Sequence, residues 1–175
     1  MVTDTIASVL KGKGGTIFAL RPGDSVYDAI AMMADKGVGA LLVMDGARLV
    51  GIISERDYAR KVILQGRSSR ATSVSDIMTQ SLITVTPEHT VDECMRLVTE
   101  YRIRHLPVLE GDTVVGVVSI GDLVRSIISA QAETIDHLHT YIHGAAIVRY
   151  IGSHLCPLWS FFPVFHLPNK ARKPH

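Results

Sequence analysis

The chain contains one sequence pattern twice, and this repeat restricts its fold more than any other feature. A shift of 65 positions places residues 16–60 on residues 81–125 without a gap. The identical pairs include Pro22 with Pro87, Val26 with Val91, Gly51 with Gly116, Ser54 with Ser119, and Asp57 with Asp122. Gapless register over this length indicates two copies of one structural unit. We therefore expect a fold built from two similar halves.

Each copy predicts the element order β-α-β-β-α. An extended run precedes a helix that opens with a capping pair, Ser25 with Asp28 or Thr90 with Glu93. Two strands joined by a tight turn follow, and a second helix ends the copy. Apart from the first helix, the predicted elements are 16–20, 40–44, 49–53 and 57–65 in one copy, and 82–85, 106–109, 114–118 and 122–130 in the other.

One copy of about 60 residues would be only marginally stable as an isolated fold, because a unit of this size buries a smaller fraction of its surface than a larger domain does. The predicted fold class is therefore α/β of the α+β type, with two tandem β-α-β-β-α units packed sheet to sheet about a pseudo-two-fold axis. The predicted domains are 1–66, with an N-terminal helix, and 67–143. Residues 144–175 form a tail of uncertain role. A peripheral contact, a partner-binding segment and a sequence foreign to the natural protein are all open for this tail.

Composition and charge argue against several classes of function. The 18 basic residues are balanced by 17 acidic ones, so no nucleic-acid partner is expected. Cys94 and Cys156 lack metal-site spacing, and His139 with His143 lacks a third ligand, so no metal is expected. The N-terminus has no signal-peptide pattern, and prolines and charges interrupt the apolar stretch of the tail. We expect a cytoplasmic protein that does not contact a membrane.

The segments that could carry chemistry are residues 51–57 (GIISERD) and 116–122 (GVVSIGD), where a strand runs into a helix. In a purely structural interpretation, Ser54 and Ser119 cap these helices, and Asp57 and Asp122 complete the caps. In a functional interpretation, the helix N-terminus and the serine hydroxyl bind a phosphate, while the carboxylate binds ribose hydroxyls. The two interpretations are compatible, and the pattern alone leaves both open.

With the Asp-Ile-Met-Thr segment at 76–79 and the Arg-His-Leu-Pro-Val segment at 104–108, this repeat resembles a pair of CBS domains (the cystathionine-β-synthase type, or Bateman module). The resemblance covers residues 5–144 and is closest to stand-alone regulatory pairs, which have no catalytic domain. It implies a cleft that binds an adenine nucleotide, either AMP, another adenosine nucleotide or NAD(H). It also implies a homodimer that acts on an unknown protein target, and no catalytic cofactor.

Carried over residue by residue, the resemblance implies that Asp57 and Asp122 bind ribose and that Ser54 and Ser119 lie near phosphate. The complete implied nucleotide-binding set is Thr16, Gly39, Ala40, Leu41, Ser54, Arg56, Asp57, Ile77, Met78, Thr79, Arg104, His105, Leu106, Pro107, Ser119 and Asp122. No catalytic residue is implied. The chain also contains no phosphate-loop, nucleophile-elbow or zinc-protease motif, so an enzyme is not expected.

The two copies differ at positions that would face the ligand. Residues 39–40 are Gly-Ala where residues 104–105 are Arg-His, and residues 55–56 are Glu-Arg where residues 120–121 are Ile-Gly. We therefore expect two sites with different preferences, one for a mononucleotide phosphate and one for a larger adenylate such as NAD. A solvent-facing position for Arg104 and His105 remains the alternative.

The predicted function is a regulatory nucleotide sensor that acts by a change of conformation or assembly. The alternative is a structural or interaction module that dimerises without a physiological ligand.

Overall fold

A computed structural model describes residues 4–14 and 16–143, so the predicted tail at 144–175 lies outside the described residues. The chain divides after Ala132 into two units. The first unit contains both sequence copies. The second begins at Glu133 and, within the described residues, consists of the last turns of a helix.

The first copy follows a short N-terminal helix and forms a three-stranded sheet flanked by helices. β1 pairs in parallel with β2, which pairs antiparallel with β3. The elements in chain order are α1 (Ile6–Lys13), β1 (Ala19–Leu20), α2 (Val26–Lys36), β2 (Ala40–Asp45), β3 (Arg48–Ser54), α3 (Glu55–Lys61) and a 3-10 turn (Ile63–Gln65). The predicted strand at 16–20 is therefore shorter in the structure, and the predicted helix at 57–65 begins earlier and ends in the 3-10 turn.

The second copy forms a two-stranded antiparallel sheet of β4 and β5. Its elements are α4 (Val74–Ile77), α5 (Val91–Glu100), β4 (His105–Glu110), β5 (Thr113–Ser119) and α6 (Ile120–His143). The predicted strand at 82–85 is reduced to one parallel bridge between Val85 and Val108. The predicted helix at 122–130 continues to His143, because no glycine or proline interrupts that segment.

The two hairpins have the same register, which confirms the repeat in three dimensions. Leu41 lies opposite Ile53, and Leu106 lies opposite Val118, at positions that the sequence repeat equates. Both hairpins also have an irregularity at the same place, between residues 43 and 44 and between residues 108 and 109. The mixture of helices and small sheets confirms the predicted α+β class.

Each copy has its own hydrophobic core, and each core includes a segment from outside the repeat. Ile6 of α1 is fully buried in the core of the second copy, whereas Val74 and Ile77 of α4 are buried in the core of the first. Matching backbone bonds fix both segments: Ile6 N–H donates to His89 O at 2.9 Å, and Val74 N–H donates to Asp24 O at 2.8 Å. The packing thus crosses the sequence division at residue 66 twice.

The glycine that opens each GxxSxxD segment makes room for the segment from outside the repeat that packs on it, the end of α4 on Gly51 and α1 on Gly116. A Cβ on Gly51 would lie 2.6 Å from Met78 Sδ, and a Cβ on Gly116 would lie 2.6 Å from Leu10 Cδ2. Such distances are far below van der Waals contact, so a side chain at either position would displace its neighbour.

Within the described residues, none of the helices is both long and apolar enough to cross a membrane.

Candidate functional site

A cavity of about 440 Å³ lies in the cleft where the two copies face each other. Its size falls within the range of small-molecule sites. The ends of β3 and β5, the starts of α3 and α6 and the approaches to β2 and β4 surround it. The lining residues are Gly39, Ile52, Ser54, Glu55, Arg56, Asp57, Arg60, Thr79, Arg102, Ile103, Arg104, His105, Ser119, Ile120 and Gly121.

Ser54 and Asp57 form a complete capping box at the start of α3. Asp57 Oδ2 accepts hydrogen bonds from the Ser54 hydroxyl at 2.6 Å and from Ser54 N–H at 3.1 Å, and Ser54 Oγ accepts one from Asp57 N–H at 3.3 Å. Asp57 Oδ1 pairs with Lys61 Nζ at 2.9 Å. The structural interpretation of this motif is therefore correct, and it leaves both residues on the wall of the cavity.

Ser119 and Asp122 repeat this arrangement at the start of α6. Asp122 Oδ2 accepts from Ser119 N–H at 2.8 Å and from the Ser119 hydroxyl at 2.7 Å. Lys13 Nζ also donates to Asp122 Oδ2, at 2.7 Å, and to Val117 O at 3.0 Å. Burial alone would raise the pKa of Asp122, but the hydrogen bonds from Lys13 and Ser119 outweigh it and lower the pKa below its usual value. Asp122 is thus ionised and already paired with a cation.

His105 of the second copy lines the cavity beside Gly39 of the first copy. A Cβ on Gly39 would lie 3.7 Å from the His105 imidazole and 3.5 Å from Glu55 Oε2. Burial lowers the pKa of His105, the positive charges of Lys13 and Arg104 lower it further, and Asp122 opposes them. The imidazole is therefore neutral at neutral pH.

Four arginines, Arg56, Arg60, Arg102 and Arg104, give the cavity a positive wall. Arg56 Nη1 donates to Arg102 O at 3.4 Å, which links the two copies across the cavity. Across residues 4–14 and 16–143, no group of His, Cys, Asp and Glu side chains is placed to hold a metal ion. The arrangement suits an anion and a hydrogen-bonding ligand.

The structure brings many of the sequence-predicted site residues together. Those that line the cavity are Gly39, Ser54, Arg56, Asp57, Thr79, Arg104, His105 and Ser119. Those that do not line it are Thr16, Ala40, Leu41, Ile77, Met78, Leu106, Pro107 and Asp122. Among these, Leu41, Ile77, Leu106 and Pro107 are buried. Their assignment to nucleotide binding stays a prediction for every residue of both groups.

Several lining residues were not in the predicted set: Ile52, Glu55, Arg60, Arg102, Ile103, Ile120 and Gly121. The sequence does contain a signal for five of them. Glu55, Ile120 and Gly121 occupy positions where the two copies differ beside the GxxSxxD serine. Arg60 lies one helical turn after Arg56 and so shares its face. Arg102 occupies the repeat position of Gly37, a substitution that a comparison of the two copies reveals.

Comparison with known proteins identifies the repeat unit. The family model described as the CBS domain matches residues 16–63 and 74–129. The CBS domain-containing protein CBSX3, mitochondrial, of Arabidopsis thaliana is 47% identical over 149 residues, which cover 80% of this chain and 72% of that protein.

Solved structures agree in fold. A protein with CBS domains from Burkholderia ambifaria is 55% identical to this chain, and the two structures superpose with a TM-score of 0.71. The superposition covers 73% of this chain and 96% of that one. The CBS domain pair of protein MJ0100, in complex with 5'-methylthioadenosine and S-adenosyl-L-methionine, is 25% identical, with a TM-score of 0.63 over 70% of this chain and 98% of that one.

Proposed function

This chain belongs to the CBS-domain family, and we propose that it is a regulatory module that binds an adenine nucleotide in the cavity between its two copies. CBS pairs in general are regulatory modules that bind adenosine ligands, and the MJ0100 pair holds two adenosine derivatives. The observation that carries the proposal is the cavity itself, where two serines at helix starts, Asp57 and a positive wall face one space. Ligand binding would regulate a protein target by a change in how the copies or protomers pack.

We further propose that the chain is not an enzyme, because the serine hydroxyls of the cavity are bonded to helix-cap carboxylates and not to the neutral imidazole of His105. The Ser54 and Ser119 hydroxyls donate to carboxylates that complete helix caps. The cytoplasm is the proposed compartment. The plant relative is named as mitochondrial, so an organelle is the competing location, and fractionation of cells that express the full chain distinguishes the two.

Assembly is also part of the proposal. We propose a homodimer, whereas a CBS-CP12 protein from bloom-forming cyanobacteria, 28% identical with a TM-score of 0.63, is described as hexameric. The competing function is a module whose role is assembly alone and whose cavity has no physiological ligand. Ligand binding and assembly must therefore be measured separately.

The test is thermal unfolding of nucleotide-free protein with adenosine, AMP, ADP, ATP, NAD, NADH and S-adenosylmethionine, with GMP as the control ligand. A ligand at 100 times its dissociation constant stabilises the fold by about 2.7 kcal/mol, which raises Tm by a few degrees. We expect at least one adenine ligand to produce this shift and GMP to produce a much smaller one. No shift with any adenine ligand would contradict the proposal and favour the assembly module.

A matched pair of variants separates ligand binding from helix capping. Asp57→Asn removes a cap carboxylate on the cavity wall. Asp28→Asn removes a cap carboxylate of α2, which pairs with the Ser25 hydroxyl at 2.7 Å and does not line the cavity. Both variants should be destabilised by about 1 kcal/mol without ligand, and Asp57→Asn by somewhat more, because it also loses the ion pair with Lys61. Only Asp57→Asn should lose the ligand-induced shift, and an equal response of the two variants would show that Asp57 does not contact the ligand.

A further inference from the structure

The four arginines of the cavity have no acidic partners. Within the described part of the chain, no carboxylate lies within ion-pair distance of the guanidinium of Arg56, Arg60, Arg102 or Arg104. The cavity contains two carboxylates, those of Glu55 and Asp57, and Asp57 is paired with Lys61. Four unpaired positive charges around one space repel one another unless an anion lies between them.

The fold does not require arginine at three of these four positions. Three of the four stand where the other copy has glycine: Arg56 matches Gly121, Arg102 matches Gly37, and Arg104 matches Gly39. Because the two copies share one backbone arrangement, each position can be occupied with no side chain at all. The guanidinium groups of Arg56, Arg102 and Arg104 therefore add a property of the cavity that the shared backbone does not require. Arg60 matches Arg125, so its role needs the separate test given below.

Arg102 is present in spite of its backbone conformation. Its φ is +54°, in the left-handed region, and it is the one non-glycine residue with positive φ among the described residues. Gly37, at the equivalent position, has a φ of +63° and avoids the steric cost that any side chain incurs there. Strained residues of this kind concentrate at functional sites. The carbonyl of Arg102 also accepts the bond from Arg56, which joins two of the four arginines.

Guanidinium groups bind phosphate oxygens through paired hydrogen bonds, so several converging arginines match several linked phosphates. A nucleoside would leave all four charges unneutralised, and a single phosphate monoester, which carries about two negative charges, would leave about two of them. We infer that the cavity selects nucleotides that contain a pyrophosphate linkage, with Arg60 and Arg102 as residues that set this selection. The inference rests on the proposed adenine-nucleotide function and specifies the class of ligand.

The experiment is calorimetric titration of nucleotide-free protein with adenosine, AMP, ADP, ATP, NAD and inorganic tripolyphosphate. ADP and ATP should bind at least tenfold more tightly than AMP, and adenosine should bind most weakly. Comparison of ADP with NAD distinguishes a terminal phosphate chain from an internal pyrophosphate. AMP binding as tightly as ADP, ATP and NAD would overturn the inference while supporting the proposed function.

Two repeat-matched variants identify the residues. Arg60→Ala and Arg125→Ala remove exposed arginines at equivalent positions, but only Arg60 lines the cavity. Arg60→Ala should weaken ADP binding about tenfold and change adenosine binding less than twofold, whereas Arg125→Ala should change neither. Equal losses in the two variants would overturn the assignment, because they would reflect net charge alone.

Arg102→Gly gives a variant whose folding is not in question. Glycine restores the residue that the first copy has and adopts positive φ freely, so the ligand-free protein should unfold at the same temperature or higher. Its ADP affinity should fall about tenfold. Unchanged ADP affinity would overturn the role of Arg102.

If no adenine compound binds the wild type, adenosine included, the proposed function fails and the inference fails with it. Tripolyphosphate binding as tight as ATP binding would support phosphate selection and contradict recognition of adenine.

Discussion

At the scale of single residues, His105 links the cavity to pH. Burial and the nearby charges of Lys13 and Arg104 lower the pKa of this imidazole, and Asp122 opposes them. An unfolded histidine titrates at about 6.5. As pH falls from about 7 toward 5, the unfolded chain therefore takes up a proton at this position before the folded protein does. The contribution of His105 to the free energy of unfolding therefore decreases over this interval.

We expect His105→Gln to remove this contribution. The unfolding free energy of the wild type minus that of the variant should become less positive as pH falls from 7.5 to 5. The reason is that only the wild type loses stability through this imidazole. Urea denaturation at several pH values measures the difference and cancels the effect of the other histidines. A difference that stays constant or grows toward low pH would contradict the lowered pKa.

The same residues show how much of the candidate site sequence reasoning can reach. The serine and aspartate of each GxxSxxD segment were predicted because local capping chemistry depends on neighbours three positions apart. The Lys13–Asp122 pair was not predicted, because 109 positions separate the two residues and no local pattern connects them. Arg102 was missed for a related reason, since its place on the cavity depends on how the two copies face each other.

At the scale of elements, the core of the second copy depends on α1, a helix that lies before the first copy in the chain. Its Ile6 is fully buried in the core of the second copy, although the helix precedes the first. Truncation of a fully buried isoleucine removes apolar contacts and leaves a cavity, which costs about 2–5 kcal/mol. We expect Ile6→Ala to destabilise the protein by this amount in urea denaturation.

Lys11→Ala is the control for this prediction, because Lys11 is an exposed residue of the same helix. Its effect should stay within about 0.5 kcal/mol, as for most surface substitutions. A loss below about 1 kcal/mol for Ile6→Ala would mean that α1 is not an integral part of the second core.

The strand and helix pattern was predictable to a large extent, and the exceptions have physical causes. The two hairpins follow from continuous apolar runs on either side of turn-forming glycines, Gly46 and Gly111, both with positive φ. The strand predicted at 82–85 is reduced to a bridge between Val85 and Val108, because strand propensity does not ensure a partner along its whole length. The exchange of α1 and α4 could not be predicted, because an amphipathic helix does not specify which of two similar cores it joins.

At the scale of the whole molecule, the repeat also places exposed apolar residues at equivalent positions. Ile63 and Ile128 occupy the same position in the two copies and are 56% and 61% exposed. Leu64 and Val124 are exposed near them in sequence, at 80% and 40%. Apolar residues this exposed favour an interface, and a surface present twice with pseudo-two-fold symmetry suits a second copy of the same chain.

We therefore expect the proposed homodimer to depend on these residues. Ile128→Glu and Ile63→Glu would each place a charge in an apolar interface, and burial of an unpaired charge costs far more than one such contact contributes. Either variant should shift the mass from dimer to monomer in light scattering coupled to gel filtration. Thr113→Glu is the control, since it adds the same charge at an exposed position of β5, an element that carries neither isoleucine. A wild type that is monomeric, or a dimer that survives both isoleucine variants, would contradict this interface. Comparison of each mass with and without the ligand found in the unfolding test then shows whether nucleotide binding and assembly are coupled, as a regulatory module requires.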